Sequence, residues 1–390
     1  MSGHKPGSPE PLLEAPNQTL NGSPYTQRFE RVRAEMARQG VDHLLLSVGA
    51  DLPYLTGYNA MPLERLTMLV LPAQGDATMV MPAFEISRVH ELDEYSVLGW
   101  TETQDPIEIV RSLIGVGGTI AFGDQCWGRF VVDIVNALPH ANFTKATDVM
   151  TPLRACKDAH EIAVLRAAAH AADRVAKQLH DGDIPLIGRR EIEVSGDISR
   201  RLIAEGHDRV NFAIVAAGEN ASSPHHSAGN RMIGANEVVL CDFGGTFTLG
   251  DSLPYCSDIT RCVYTGEPPS EFADMYSVLF EAQAAGVQAA VLGVTCEGVD
   301  AASRRVIADA GFGEYFTHRT GHGIGMDAHE EPYMVNGNSL PLAAGHAFSV
   351  EPGIYVSGKW GARLEDIVVA TDNGPDPLNR AQHHLVVVAS

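Results

Sequence analysis

The sequence predicts an α+β protein in two parts: a smaller α/β domain, then a larger domain of hairpin strands and long helices. Three observations carry this. Helical and strand-like patterns alternate from residue 25 to about residue 150. After Gly206 the texture changes to strand runs in hairpins, interleaved with two long helical stretches. The length, 390 residues, suits two or three domains at roughly 100–200 residues each. We therefore expect a tail at 1–23, an N-terminal domain at 24–150 and a C-terminal domain at 151–390.

Residues 1–23 are rich in Pro, Gly, Ser and Asn, which predicts a flexible tail. The first helix covers 25–39, where Phe29, Val32 and Met36 share one face. Apolar runs at 42–48, 66–72, 77–81 and 119–122 predict strands, and helical spacing recurs at 105–114 and 128–137. Pro152 makes 148–154 a linker. A long amphipathic helix over 158–180 turns Ile162, Leu165, Ala168 and Ala169 inward; 184–188 breaks it, and a second helix covers 191–205. Strands at 212–216, 237–243 and 259–264 precede helices at 271–292 and 296–310. Further strands are expected at 347–350, 354–356, 362–369 and 384–388. No repeat of solenoid period is present.

Composition narrows the function. With 45% hydrophobic and 20% charged residues, wholesale disorder is excluded. Lys and Arg number 28 against 49 Asp and Glu, a formal charge of −21 that repels phosphate backbones and anionic lipid. No apolar run approaches the ~18–20 residues of a spanning helix, and the N-terminus lacks the apolar stretch of a signal peptide. Six cysteines without a CxxC pair predict reduced thiols in a cytoplasmic protein. Neither nucleic acid nor membrane is expected as a partner, and part of the acidic excess is available to hold metal.

Three motifs are decoys. Gly353-Ile-Tyr-Val-Ser-Gly358-Lys359 starts like a phosphate loop, but Trp360 stands where a Ser or Thr would hold magnesium, and a strand pattern follows instead of a helix. His329-Glu330-Glu331-Pro332-Tyr333 lacks the second histidine of a zinc-protease helix. Gly321-His322-Gly323-Ile324-Gly325 misplaces the last glycine of a dinucleotide turn.

What survives is a set of five segments with buried-looking charge. Asp242 ends an apolar strand, Asp258 opens the next, His322 sits between glycines, Glu351 ends a strand, and Glu365 lies inside one beside Arg363. Singly, each has an ordinary explanation: a turn former, a packed imidazole, a cross-strand ion pair. Together, acidic groups facing a core demand cations or shared protons. Four carboxylates balance two divalent ions, and oxygen-rich ligation with one imidazole suits Mn²⁺, Co²⁺ or Zn²⁺. Two such ions ~3.5–4 Å apart activate a water for hydrolysis.

In their order and contexts, Asp242, Asp258, His322, Glu351 and Glu365 resemble the five ligands of the pita-bread metallopeptidases, creatinase/prolidase branch. The phrases DITR (258–261), HRTGHGIGMDAHEEPY (318–333), VEPGIY (350–355) and RLED (363–366) look like Xaa-Pro dipeptidase or Xaa-Pro aminopeptidase motifs, and DLPYLTG (51–57) like the N-terminal domain signature. The resemblance spans about 25–390. It implies a pita-bread catalytic domain behind a creatinase-type N-terminal domain, two divalent ions per chain with Mn²⁺ foremost, and small Xaa-Pro peptides as substrates. By the same resemblance Asp242 serves one metal, Asp258 and Glu365 bridge, and His322 and Glu351 hold the other, with Glu351 shuttling protons. His225 would meet substrate ahead of its neighbour His226. His329 would contact the scissile carbonyl or leaving nitrogen, His318 would line the proline pocket and Arg363 would orient the carboxylates. A homodimer is implied, its partner reached by a loop at 51–58.

One departure is the stretch between Asp242 and Asp258, longer than is usual in this family, which leaves their register open; a turn can lengthen at small entropic cost. Dipeptidase and aminopeptidase stay unseparated, the short N-terminal domain leaning to the former. A non-peptidase hydrolase or lyase on the same fold, or a catalytically silent binding protein, is the alternative.

Overall fold

A computed structural model of the chain describes residues 24–89 and 92–388. The tail expected at 1–23 lies outside the described residues. The N-terminal part runs α1 (Pro24–Gln39), β1 (His43–Leu46), α2 (Asp51–Thr56), β2 (Met68–Pro72), β3 (Ala77–Pro82), β4 (Tyr95–Trp100), α3 (Pro106–Ile114), β5 (Thr119–Phe122), α4 (Gly128–Ala137), β6 (Asn142–Lys145) and α5 (Thr147–Ala155). Its mixed sheet has the order β4-β3-β2-β1-β5-β6. Both faces are covered, which is why its central strands read as continuous apolar runs. Leu44, Leu46, Leu69 and Leu71 pack with α1, α2 and α5, while Leu45, Met68 and Val70 face α3 and α4.

Sequence patterns missed β4 and β6 because both are edge strands held by backbone pairing, β4 burying only its end residues Tyr95 and Trp100 and β6 none. Residues 148–154 are helix, not linker. Pro152 deprives the Asp148 carbonyl of its helical donor, but Gln39 Nε2 donates to that oxygen at 3.2 Å. Burial of Val149, Met150 and Leu153 in the first core holds the helix in place. Residues 51–56 are likewise helix, not loop: α2 buries Leu52, Tyr54 and Leu55 in the same core.

The C-terminal part begins with α6 (Ala159–His180), whose capping box joins Asp158 to Glu161, and α7 (Glu191–Ala204). Then come β7 (Arg209–Ala217), β8 (Val238–Phe247), β9 (Tyr255–Cys256), β10 (Ile259–Tyr264), α8 (Ser270–Ala289) and α9 (Cys296–Asp309). The chain closes with β11 (Gly321–Gly323), β12 (Glu330–Met334), β13 (Ala347–Val350), β14 (Gly353–Val356), β15 (Trp360–Arg363), β16 (Asp366–Thr371), β17 (Gly374–Pro377) and β18 (Val386–Val387). One sheet has the order β18-β10-β8-β7 with β9 beside β8; another runs β12-β11-β13-β16-β17; β14 and β15 form a hairpin. Helices α6 and α7 bury Val175, Ile198 and Leu202 against Val215 and Phe243, and Phe272 and Leu279 of α8 pack on Leu240, Ile354 and Leu364.

The two larger sheets meet at one antiparallel bridge between Thr260 and Glu365, where the Glu365 amide donates to the Thr260 carbonyl at 3.3 Å. That junction corrects two expectations. The strand expected at 362–369 is two strands of different sheets, so Glu365 lies in the break and not inside a strand. Asp242 does not end its strand either; β8 continues through Gly244 and Gly245 to Phe247. The glycines read as a turn but serve close approach: a Cβ at Gly244 would stand 2.1 Å from the Ser257 carbonyl oxygen. The long hairpin leaves register intact. Asp242 pairs with Thr260 and Thr246 with Cys256, so the extra length is confined to 248–254.

Candidate metal centre

Five chain segments converge on the sheet junction. Asp242 points from mid-β8, Asp258 precedes β10, His322 is central in β11, Glu351 follows β13 and Glu365 occupies the β15–β16 break. Local sequence explains the tight passage of β11: a Cβ on Gly321 would fall 1.8 Å from the Ser349 carbonyl oxygen. Asp242, Asp258 and Glu365 each offer an oxygen within 4.8 Å of the others, as do His322, Glu351 and Glu365 in donor atoms. The sequence-derived set is thus brought together in full. A third grouping within the same distance joins Asp258, His322 and His329.

Hydrogen bonds orient this set and leave specific atoms open. His322 Nδ1 faces the Gly323 carbonyl at 3.0 Å, which accepts only, so Nδ1 carries the proton. Nε2 then presents a lone pair toward Glu351 Oε1 at 3.2 Å and Asp258 Oδ2 at 3.7 Å. Burial holds the imidazole neutral, with its pKa lowered to about 3. A bare lone pair facing carboxylates is repulsive without a cation between them. Buried oxygens Asp242 Oδ1, Asp258 Oδ1 and Glu365 Oε1 have no hydrogen-bond partner. Burial raises the carboxyls of Asp258 and Glu365 well above the usual range, and neighbouring carboxylates add to it; burial takes Glu351 up to about 7. These donors fit divalent metal on their own observed geometry.

Arg363 is the counter-charge that the ligand count alone left out. Its Nη2 lies 2.5 Å from Asp242 Oδ2, Nε donates to Thr260 Oγ1 at 3.0 Å, and Thr260 Oγ1 donates to Glu365 Oε2 at 2.6 Å. Nη1 donates to the Tyr355 hydroxyl at 2.8 Å. The carbonyl of Arg319 accepts from His318 Nδ1 at 2.7 Å, so His318 Nε2 accepts from the Tyr355 hydroxyl at 2.9 Å. Burial, chiefly, lowers His318 to about 4. Thr260 and Tyr355 both sit inside quoted motifs, DITR and VEPGIY. A search for charged ligands passed over them because hydroxyls mark no charge.

A cavity of about 500 Å³ opens onto these groups. Phe212, Ile214 and Pro224 supply an apolar wall, with His225, His318, Arg319 and His329 around it. His225 faces the cavity. His226 instead turns to the buried Glu191, its Nε2 2.8 Å from Oε2, and Glu191 Oε1 accepts from the Ala217 amide and Asn220 Nδ2. The ring of His329 lies 3.7 Å from that of His322, centroid to centroid.

The His329 segment is also gripped by the N-terminal domain. Arg154 of α5 contacts Asp51 Oδ1 at 2.7 Å, Asp327 Oδ2 at 2.8 Å and Glu330 Oε2, while Lys157 Nζ reaches Glu330 Oε1 at 2.6 Å. Nothing periodic marks such a cluster in sequence.

Comparison with known proteins agrees with this architecture. The family described as Metallopeptidase family M24 matches residues 159–372, and the one described as Creatinase/Prolidase N-terminal domain matches residues 28–156. A probable dipeptidase PepE of Mycobacterium tuberculosis is 42% identical over 370 residues, covering 93% of this chain and 96% of that protein. The crystal structure of dipeptidase PepE from Mycobacterium ulcerans superposes with a TM-score of 0.87 at 41% identity, covering 95% of this chain and 100% of that one. A recombinant prolidase from Thermococcus sibiricus gives a TM-score of 0.88 at 34% identity, covering 94% and 100%.

Proposed function

The chain belongs to metallopeptidase family M24, creatinase/prolidase branch, and on that premise we propose that it hydrolyses Xaa-Pro bonds of small peptides, dipeptides foremost. One observation carries the reading: Asp242, Asp258, His322, Glu351 and Glu365 surround buried, partnerless oxygens beside a partly apolar cavity. Asp242, Asp258 and Glu365 would hold one divalent ion, and His322, Glu351, Asp258 and Glu365 the other. Oxygen-rich donors with one imidazole favour Mn²⁺, with Co²⁺ or Zn²⁺ as substitutes. Bound there, the ions would supply Lewis-acid polarisation of the carbonyl and a water of lowered pKa.

The chain's own groups do the rest. Glu351, whose Oε1 faces His322 Nε2 at the centre, is placed to accept a proton and return it to the proline nitrogen, which as the nitrogen of a tertiary amide cannot leave unprotonated. His329 and His225 stand at the cavity to donate toward the developing oxyanion and the leaving nitrogen. His318, held neutral and locked by Tyr355, joins Phe212 and Ile214 in walling the proline ring. Arg363 keeps Asp242 and Glu365 aligned, the second through Thr260.

Six unpaired cysteines favour an intracellular setting. A homodimer is part of the same reading, with exposed Met61, Leu63, Phe84 and Ile86 of the N-terminal domain as apolar surface available to it, and light scattering would test it against a monomer. The decisive experiment for function measures bound metal and turnover together across an Xaa-Pro and non-proline peptide panel. Two ions per chain with turnover confined to Xaa-Pro bonds supports the reading; full activity after chelation overturns it.

A further inference from the structure

The His225 ring faces the cavity and makes no hydrogen bond of its own among the described residues. Its place is set through the chain on either side. One residue before it, the Pro224 carbonyl accepts from Arg363 Nη1 at 3.3 Å. One residue after it, the His226 amide donates to the Ser223 carbonyl at 3.2 Å, and the His226 ring Nε2 lies 2.8 Å from Glu191 Oε2. An ionised carboxylate only accepts, so His226 carries a proton on that nitrogen.

Glu191 is equipped for this hold. Its side chain is fully buried at the start of α7, and among the described residues no lysine or arginine forms an ion pair with it. Four donors stand in for a counter-charge: the Ala217 amide at 2.9 Å and Asn220 Nδ2 at 3.0 Å on Oε1, His226 Nε2 and the Gly229 amide at 3.3 Å on Oε2. Burial alone would raise its carboxyl, and these donors bring it below the usual range instead. The Ile192 amide ties the same stretch again, donating to the Gly229 carbonyl at 3.0 Å. Apolar packing would close this corner without burying a charge, but it would lack the direction of these bonds. Resting on the reading that sets His225 at the substrate, we propose that Glu191 is a positioning residue, which through His226 fixes the backbone that aims His225 at the reacting bond. Misplacing a reacting group by about 1 Å costs on the order of 10²-fold in rate. Releasing His226 should cost about that in kcat with KM little changed, because His225 acts on the transition state.

The test uses the full-length, metal-loaded protein and two variants at position 226. His226→Leu fills the space and donates nothing to Glu191, whereas His226→Gln keeps a side-chain N–H for it. The first should lose about 10²-fold in kcat on an Xaa-Pro dipeptide at unchanged metal content, and the second should recover most of that loss. In a His225→Ala background His226→Leu should lose nothing further, since the hold then has nothing to aim. Hydrogen exchange in 223–229 gives a readout without turnover: it should rise in His226→Leu and return to the wild-type level in His226→Gln. Glu191→Gln, whose amide can serve His226 only in its other tautomer and cannot serve the Gly229 amide, should fall between the two. A loss of equal size with and without His225, wild-type turnover in His226→Leu, or unchanged exchange there overturns the proposal. Full turnover in His225→Ala overturns the role of His225 and the proposal with it. A wild type that cleaves only non-proline peptides overturns the Xaa-Pro reading, and the same variants then test the hold on the bond it does cleave.

Discussion

Replacing Glu351 by Gln should stabilise the metal-free protein at pH 8 while weakening its hold on divalent ions. Burial, first, and the charge of Asp242 take the Glu351 carboxyl from an ordinary 4.5 up to about 7. A carboxyl raised in this way contributes stability that is fully present below pH 4.5 and lost as pH rises through about 7. The gap is worth about 3 kcal/mol at 1.36 kcal/mol per pH unit. Gln cannot ionise and escapes that loss. Its amide, set at the present Oε1 position, can donate to His322 Nε2 at 3.2 Å and to Ser349 Oγ at 3.0 Å.

Comparing variant with wild type at each pH cancels the buried histidines, whose lowered pKa values give a contribution that rises with pH over the same range. Urea unfolding of chelated protein is the assay. The two proteins should match at pH 4.5 and differ by about 3 kcal/mol at pH 8, about 6–12 °C in Tm for a cooperative unit of 150–250 residues. Adding Mn²⁺ should reverse the order, because only the intact ligand set gains the binding term, ~4.1 kcal/mol at a thousandfold excess over Kd. Equal stability at pH 8, or an undiminished gap at pH 4.5, would refute the reasoning that a forced negative charge is what the metal offsets.

Asp258→Ala should lose both ions on the proposed reading, in which its carboxylate bridges them; mass spectrometry of the native variant that still finds two ions would remove Asp258 from the bridge. His322→Ala should lower metal content and turnover, whereas His329→Ala should keep both ions and lose about 10²–10⁴-fold in turnover. That pair also decides the third donor grouping, because an emptied site in His329→Ala would make His329 a ligand. Arg154→Leu should cost about 3–5 kcal/mol in urea, by leaving Asp51 and Asp327 without their shared cation. A cost below about 1 kcal/mol would show the cluster to be solvated.

Most of the helices and central strands, and the five charged segments that converge at the sheet junction, were legible in sequence because both rest on local signals. Phe29, Val32 and Met36 mark α1 by spacing alone, and Asp258, His322, Glu351 and Glu365 each stand in a short phrase, from DITR to RLED. Where neighbours decide, the pattern fell silent. Residues 148–154 are helical because the first core buries Val149, Met150 and Leu153 and Gln39 meets the carbonyl that Pro152 frees, and Glu365 stands in a strand break because two sheets meet at Thr260. The register of Asp242 against Asp258 came from pairing on both sides of 248–254, which no count of intervening residues could supply. Free and engaged charge is likewise a tertiary matter. Arg363 and Arg319 are the same residue type in similar motif settings, and only the fold surrounds one with a carboxylate and two hydroxyls and leaves the other over the Tyr333 ring. The reason is physical: hydrophobic spacing and turn chemistry act within a few residues, whereas ion pairing and strand register depend on groups brought together from distant parts of the chain.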